Sequence, residues 1–147
     1  MGWLSRLLGR DEIPPQSADT DGTPLIRTDF SNDIAWDALL LATSTPSPDG
    51  FLANLRVIDE RRFSAATIEQ ILESKVAASH AVFVVADCLT MTHSENPLLC
   101  VNASDAAQAF RVIPTELWGP ENNLSLGNMD FDEFAEHASG DGIFRGF

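Results

Sequence analysis

Short apolar runs and helical stripes alternate along the chain, separated by polar stretches rich in proline and glycine. Leu25–Arg27 reads as a short strand. Asp29 and Ser31 are helix-starting residues, and a helix over 32–42 follows. Its stripe is Ala35, Leu39 and Ala42, widened by Trp36 and Leu40. The run STPSPDG ends it as a loop. Leu52–Ile58 is a second strand, with Leu55 and Val57 on one face. Thr67 and Gln70 make a T-x-x-Q capping box for a second helix, whose stripe is Ile68, Ile71, Leu72 and Val76. Residues 81–86 (AVFVVA) show no polar alternation, the pattern of a central strand covered on both faces. Leu98–Val101 follows Pro97 as a fourth strand, and Phe110–Ile113, ended by Pro114, is a fifth. Asp130 and Glu133 open a last helix as a D-x-x-E box. Phe131, Phe134, Ala135 and Ala138 lie on one side of it, so it docks by an aromatic face. Gly140 and Gly142 stop that helix, and IFRGF trails to the end.

The order is β-α-β-α-β-β-β-α. Two strand–helix–strand crossovers imply three parallel strands, and the short later connections imply antiparallel additions. The expectation is a single α/β (or α+β) domain, a mixed sheet of about five strands with helices packed on it. Residues 11–23 (DEIPPQSADTDGT) have no apolar period, so 1–23 reads as a flexible segment and linker and 24–147 as one globular domain.

Composition narrows the partners. At 147 residues and 44% hydrophobic, the chain can bury a core without staples. Its 22 acids against 9 basic residues give a net charge of −13. That field repels phosphate backbones, so no nucleic-acid partner is expected, and it attracts a basic protein. Cys88 and Cys100 form neither a C-x-x-C pair nor a zinc spacing, which fits a reducing cytoplasm. The opening MGWLSRLLGR is too short for a membrane span or a signal-peptide core. Trp3, Leu4, Leu7 and Leu8 in it offer only a weak route to a membrane surface.

Two patterns bear on chemistry. Asp29, Asp59 and Asp87 each follow a strand. In a parallel sheet strand C-termini share one edge, where carboxylates can hold a divalent metal. No glycine-rich phosphate loop accompanies them, and no cofactor is expected. A Cys88–His93 nucleophile pair lacks an orienting third group, so no catalytic residue is assigned. The second pattern is the stretch WGPENNLSLGNMDFDEF, 118–134. Its asparagines suit a long loop pinned by its own hydrogen bonds. As a contact surface, it presents Trp118 as an aromatic anchor beside Glu121, Asn122, Asn123, Asp130 and Asp132. Seven acids and no lysine or arginine lie between Glu116 and Asp141.

The stretches PLIRTDFSNDIAWDAL, FVVAD and PLLCV, and the ending FRVIPTELWGPENNLSLGNMDFDEFAEHASGDGIFRGF, carry a resemblance. The chain resembles an uncharacterised actinobacterial family of a domain of unknown function, over about 24–147, with ENNLS, NMDF and FRGF as its most specific motifs. The resemblance implies no activity, substrate or catalytic residue. The small, acidic, stand-alone character is similar to that of bacterial immunity proteins. The expected function is therefore a non-catalytic, cytoplasmic, acidic binding protein for a basic protein. The alternative is a divalent-metal-dependent enzyme built on Asp29, Asp59 and Asp87.

Overall fold

The structure is a computed structural model, and it describes residues 22–147. Trp3, Leu4, Leu7 and Leu8, with the linker as far as Asp21, lie outside the described residues.

The chain enters at Gly22, against β2. A side chain there would meet the Leu55 carbonyl carbon at 2.7 Å and the Arg56 nitrogen at 2.8 Å, so only glycine lets the two backbones approach. β1 (Thr23–Arg27) and β3 (Val82–Ala86) are buried at every residue, as their unbroken apolar runs require. They pair in parallel, and β2 (Leu55–Ile58) runs parallel to β1 on its other side. β4 (Leu98–Asn102) and β5 (Ala109–Val112) add antiparallel strands, giving a six-stranded sheet in the order β2-β1-β3-β4-β5-β6. The sixth strand, β6 (Ile143–Phe144), corrects the trailing tail expected from sequence. Its two residues pair in parallel with β5 and are buried.

Helices cover both faces. Asn32 caps α1 (Asp33–Thr43) by accepting a hydrogen bond from the Ala35 N–H, and Trp36, Leu39 and Thr43 are its buried residues. Thr67 and Gln70 form the expected capping box of α2 (Ile68–Glu73), which buries Ile71. α1 packs on the face of Leu25, Val84 and Cys100, while Ile71 and Phe63 pack on the face of Ile26, Phe83 and Val85. Connections from β1 and from β2 thus leave on opposite faces, so the sheet has a topological switch point between β1 and β3.

Two further segments are helical. Asp87 and Thr90 exchange a reciprocal box that starts α3 (Cys88–Thr92). α4 (Trp118–Leu126) replaces the long asparagine-rich loop. Gly119 and Pro120 are helix breakers in most settings. Here they sit in the first turn, whose N–H groups have no intrahelical partner, so the missing proline donor costs nothing. Asn122 and Asn123 turn inward along the helix, their Nδ2 atoms donating to the carbonyls of Trp118 (2.8 Å) and Gly119 (2.9 Å). Gly127 ends α4 at φ 74°, the left-handed conformation that favours glycine.

The D-x-x-E box opens α5 (Phe131–Glu136) as expected. Its Phe134 is fully buried, with ring centroids 5.9 Å from Phe110, 5.3 Å from Phe144 and 5.4 Å from Phe147. This cluster fastens α5 and the C-terminus to β5. Phe134→Ala is expected to cost about 3–5 kcal/mol in urea unfolding, the range for truncating a buried phenylalanine. A loss below about 1 kcal/mol would mean that α5 is not docked this way.

Candidate functional sites

The switch point opens a crevice at the carboxyl ends of β1 and β3. It has a volume of about 610 Å³ and is lined by Thr28, Asp29, Phe30, Ala65, Asp87 and Cys88, among others. Backbone bonds build it: the Thr28 N–H donates to the Ala86 carbonyl (3.0 Å), and the Ala65 N–H donates to the Thr28 carbonyl (2.8 Å). Ala65 holds φ 57°, a left-handed conformation unusual for alanine, at the crevice wall.

Asp29 and Asp87 both line this crevice, and Asp59 does not. Arginines occupy two of the three acids. Arg111 grips Asp87 with both nitrogens, at 2.9 and 2.7 Å, while the Thr90 N–H and hydroxyl donate to the same carboxylate. Burial alone would raise the Asp87 pKa, but the Arg111 fork and the Thr90 donors outweigh it, so the carboxyl is held below its usual range. Asp59 pairs with Arg27 at 3.4 Å, and Asp29 closes a local turn by accepting from the Ser31 N–H. Among the described residues, no group of three His, Cys, Asp or Glu side chains is arranged to hold a metal ion.

Arg27 is itself 4% exposed. It donates to Asp33 at 2.7 Å and to the Asp29 carbonyl at 3.1 Å, and lies over the rings of Phe30 and Trp36. The Arg27 hydrogen bond and charge hold the Asp33 pKa below its usual value. Cys88 is exposed at the first turn of α3, whereas His93 caps the far end of that helix and accepts from the Glu95 N–H. The two do not form a nucleophile–base pair. Burial pushes the Cys100 thiol well up, which leaves it inert.

The acidic C-terminal third divides in two. Glu121, expected on a contact surface, is 4% exposed. It accepts from the Thr23 hydroxyl (2.8 Å), the Asn54 N–H (2.8 Å) and the Ser125 hydroxyl (3.3 Å), tying α4 to the starts of β1 and β2. It is therefore a structural clasp, and it leaves the candidate contact surface. Asn123 spends its side-chain donor within α4, and Asn122 donates to the Trp118 carbonyl in α4 and, at 3.5 Å, to the Leu52 carbonyl. Trp118 is half-buried and stacks on Phe51 at 4.6 Å, so its anchor surface is partly covered from within. Asp130, Asp132, Glu133 and Glu136 remain exposed along α5.

Sequence reasoning found Asp29 and Asp87 but missed Arg111, since nothing local links residues 24 positions apart. The D-x-x-T spacing of Asp87 and Thr90 was a legible sign of the helix that places Cys88.

Two outcomes check these assignments. Glu121→Ala should destabilise by roughly 1–3 kcal/mol for each buried donor left unmet, and Glu121→Gln by less. A neutral Glu121→Ala in urea unfolding would remove the clasp. Asp87 is more acidic folded than unfolded, so its contribution is complete above a pH of about 4 and lost as pH falls below that. Arg111→Met leaves burial less opposed and raises the folded-state Asp87 pKa toward its unfolded value, so the stability lost on acidification should shrink. Identical stability–pH profiles for the two proteins would contradict the pairing.

Among the described residues, no helix is long and apolar enough to cross a membrane. Comparison with curated proteins finds no match. Residues 22–147 match the model of a family described as a domain of unknown function, DUF6924. The described fold and the matched span coincide, and the chain belongs to the DUF6924 family.

Proposed function

We propose that this is a non-catalytic bacterial cytoplasmic binding protein, immunity-like in kind, whose acidic surface covers a basic protein. The observation that carries this reading is the outer face of α5. Asp130, Asp132, Glu133 and Glu136 are exposed there, and no lysine or arginine lies between Glu116 and Asp141. Nearby Asp141 is already paired with Arg145 at 2.8 Å, and Glu121 is buried, so the contact narrows to α5. The two free thiols, Cys88 and Cys100, support a reducing compartment. The family signature is taken as ENNLS, NMDF and FRGF. In this chain those stretches supply the α4 asparagines, the α5 cap and Arg145.

A second reading, a divalent-metal-dependent enzyme, draws on the crevice that Asp29 and Asp87 share. Titration with Mg²⁺ and Mn²⁺ tests it: no heat and no thermal stabilisation would remove it, because a ligand selective for the folded state raises stability.

For the leading reading, full-length protein is immobilised and native lysate passed over it at low and high salt. One dominant basic protein, released as salt rises, is the expected outcome. Asp132→Lys with Glu136→Lys should then slow association and flatten its salt dependence, since rim charges act mainly on encounter. Asp130 and Glu133 are left intact because they cap the helix. An unchanged association rate and salt dependence in the double variant would exclude α5 as the contact.

A further inference from the structure

One recess away from both sites gathers positive charge. Where β2 begins and the turn after α2 leads to β3, Arg56, Lys75, Ser79 and His80 line a cavity of about 290 Å³. No carboxylate lines it. Among the described residues, Arg27, Arg62, Arg111 and Arg145 each pair with an aspartate or glutamate, and Arg61 lies over the Phe30 ring. Arg56 and Lys75 form no ion pair among the described residues.

Arg56 is also held in place. Its Nη2 donates to the Val76 carbonyl at 3.0 Å, and its Nε is packed away from solvent without a partner among the described residues. Among the described residues, Nη1 has no partner, on a guanidinium whose position is already set. Such a fork loses little freedom on taking a ligand.

We propose that this recess is an oxyanion site that takes the phosphate group of a small molecule. A guanidinium, an ammonium, an imidazole and a hydroxyl supply donors and positive charge, the chemistry a phosphate oxygen requires. The net charge of −13 repels a polyanion such as nucleic acid at long range, so the ligand carries a single phosphate. Ser79 and His80 also line an adjoining polar cavity of about 370 Å³, with Asn54, Asn122 and Ser125. Glu121 lines that second cavity too, which sets the remainder of the ligand as uncharged and hydroxyl-rich.

The test follows backbone amide signals of the full-length, isotope-labelled protein. Inorganic phosphate, ribose 5-phosphate and chloride are each added at matched ionic strength. Phosphate is expected to give saturable shifts around Arg56, Lys75, Ser79 and His80, with a dissociation constant on the order of 1 mM, and chloride none. Lys75 is exposed, so Lys75→Gln keeps the fold and should weaken phosphate binding about tenfold, the loss of one charged hydrogen bond. Arg56→Gln should do at least as much. Ribose 5-phosphate should bind more tightly and extend the shifts to Asn54 and Asn122. No saturation, equal shifts in chloride, or unchanged affinity in both variants overturns the site. A sugar phosphate that binds no tighter and leaves Asn54 and Asn122 unmoved overturns the assignment of the adjoining cavity.

Discussion

The parallel pairing of β1 with β3 is the constraint on which the rest of the molecule depends. Both strands are buried at every position, so neither face of the sheet can meet water there. One helical layer is then insufficient. α1 covers one face and the segment of Phe63 and Ile71 covers the other. Serving both faces from adjacent strands splits the connections and opens the crevice between Thr28 and Asp87.

Arginine–carboxylate pairs close that end of the sheet. Arg27 reaches Asp33 and Asp59 from the end of β1, and Arg111 reaches Asp87 from β5. Acids that share a strand edge would repel one another if left unpaired. Pairing removes that repulsion and, at Asp87, fixes the start of α3 in the same contact. At the opposite end, the Glu121 carboxylate plays a comparable part through neutral donors, holding α4 against the first residues of β1. The recess of Arg56 and Lys75 differs from these ends of the sheet, since no carboxylate among the described residues lines it.

Local patterns were legible where the chemistry is local. The capping boxes at Thr67 and Asp130, the AVFVVA strand and the aromatic stripe of α5 each rest on residues within a turn or a strand of one another. α4 was not legible, because Gly119, Pro120 and its two asparagines read as loop chemistry by propensity. Tertiary contacts override that propensity: the buried Leu117 and Leu124 and the Glu121 clasp hold the segment helical against the sheet. β6 escaped for a similar reason. Two residues carry no period, and Ile143–Phe144 becomes a strand only because β5 offers an open edge.

The amino-acid sequence alone determined the fold class, the parallel start of the sheet, the acidic character and the helix caps. These follow from hydrophobic period, side-chain chemistry and charge, which act over a few residues or over the whole chain. The tertiary structure decided which acids are surface and which are core. Glu121 and Glu136 are the same residue type in the same acidic third, yet one is buried among three donors and the other faces water. That difference arises from partners up to 98 positions away, Thr23 among them, and only folding brings a carboxylate and such donors within hydrogen-bonding distance.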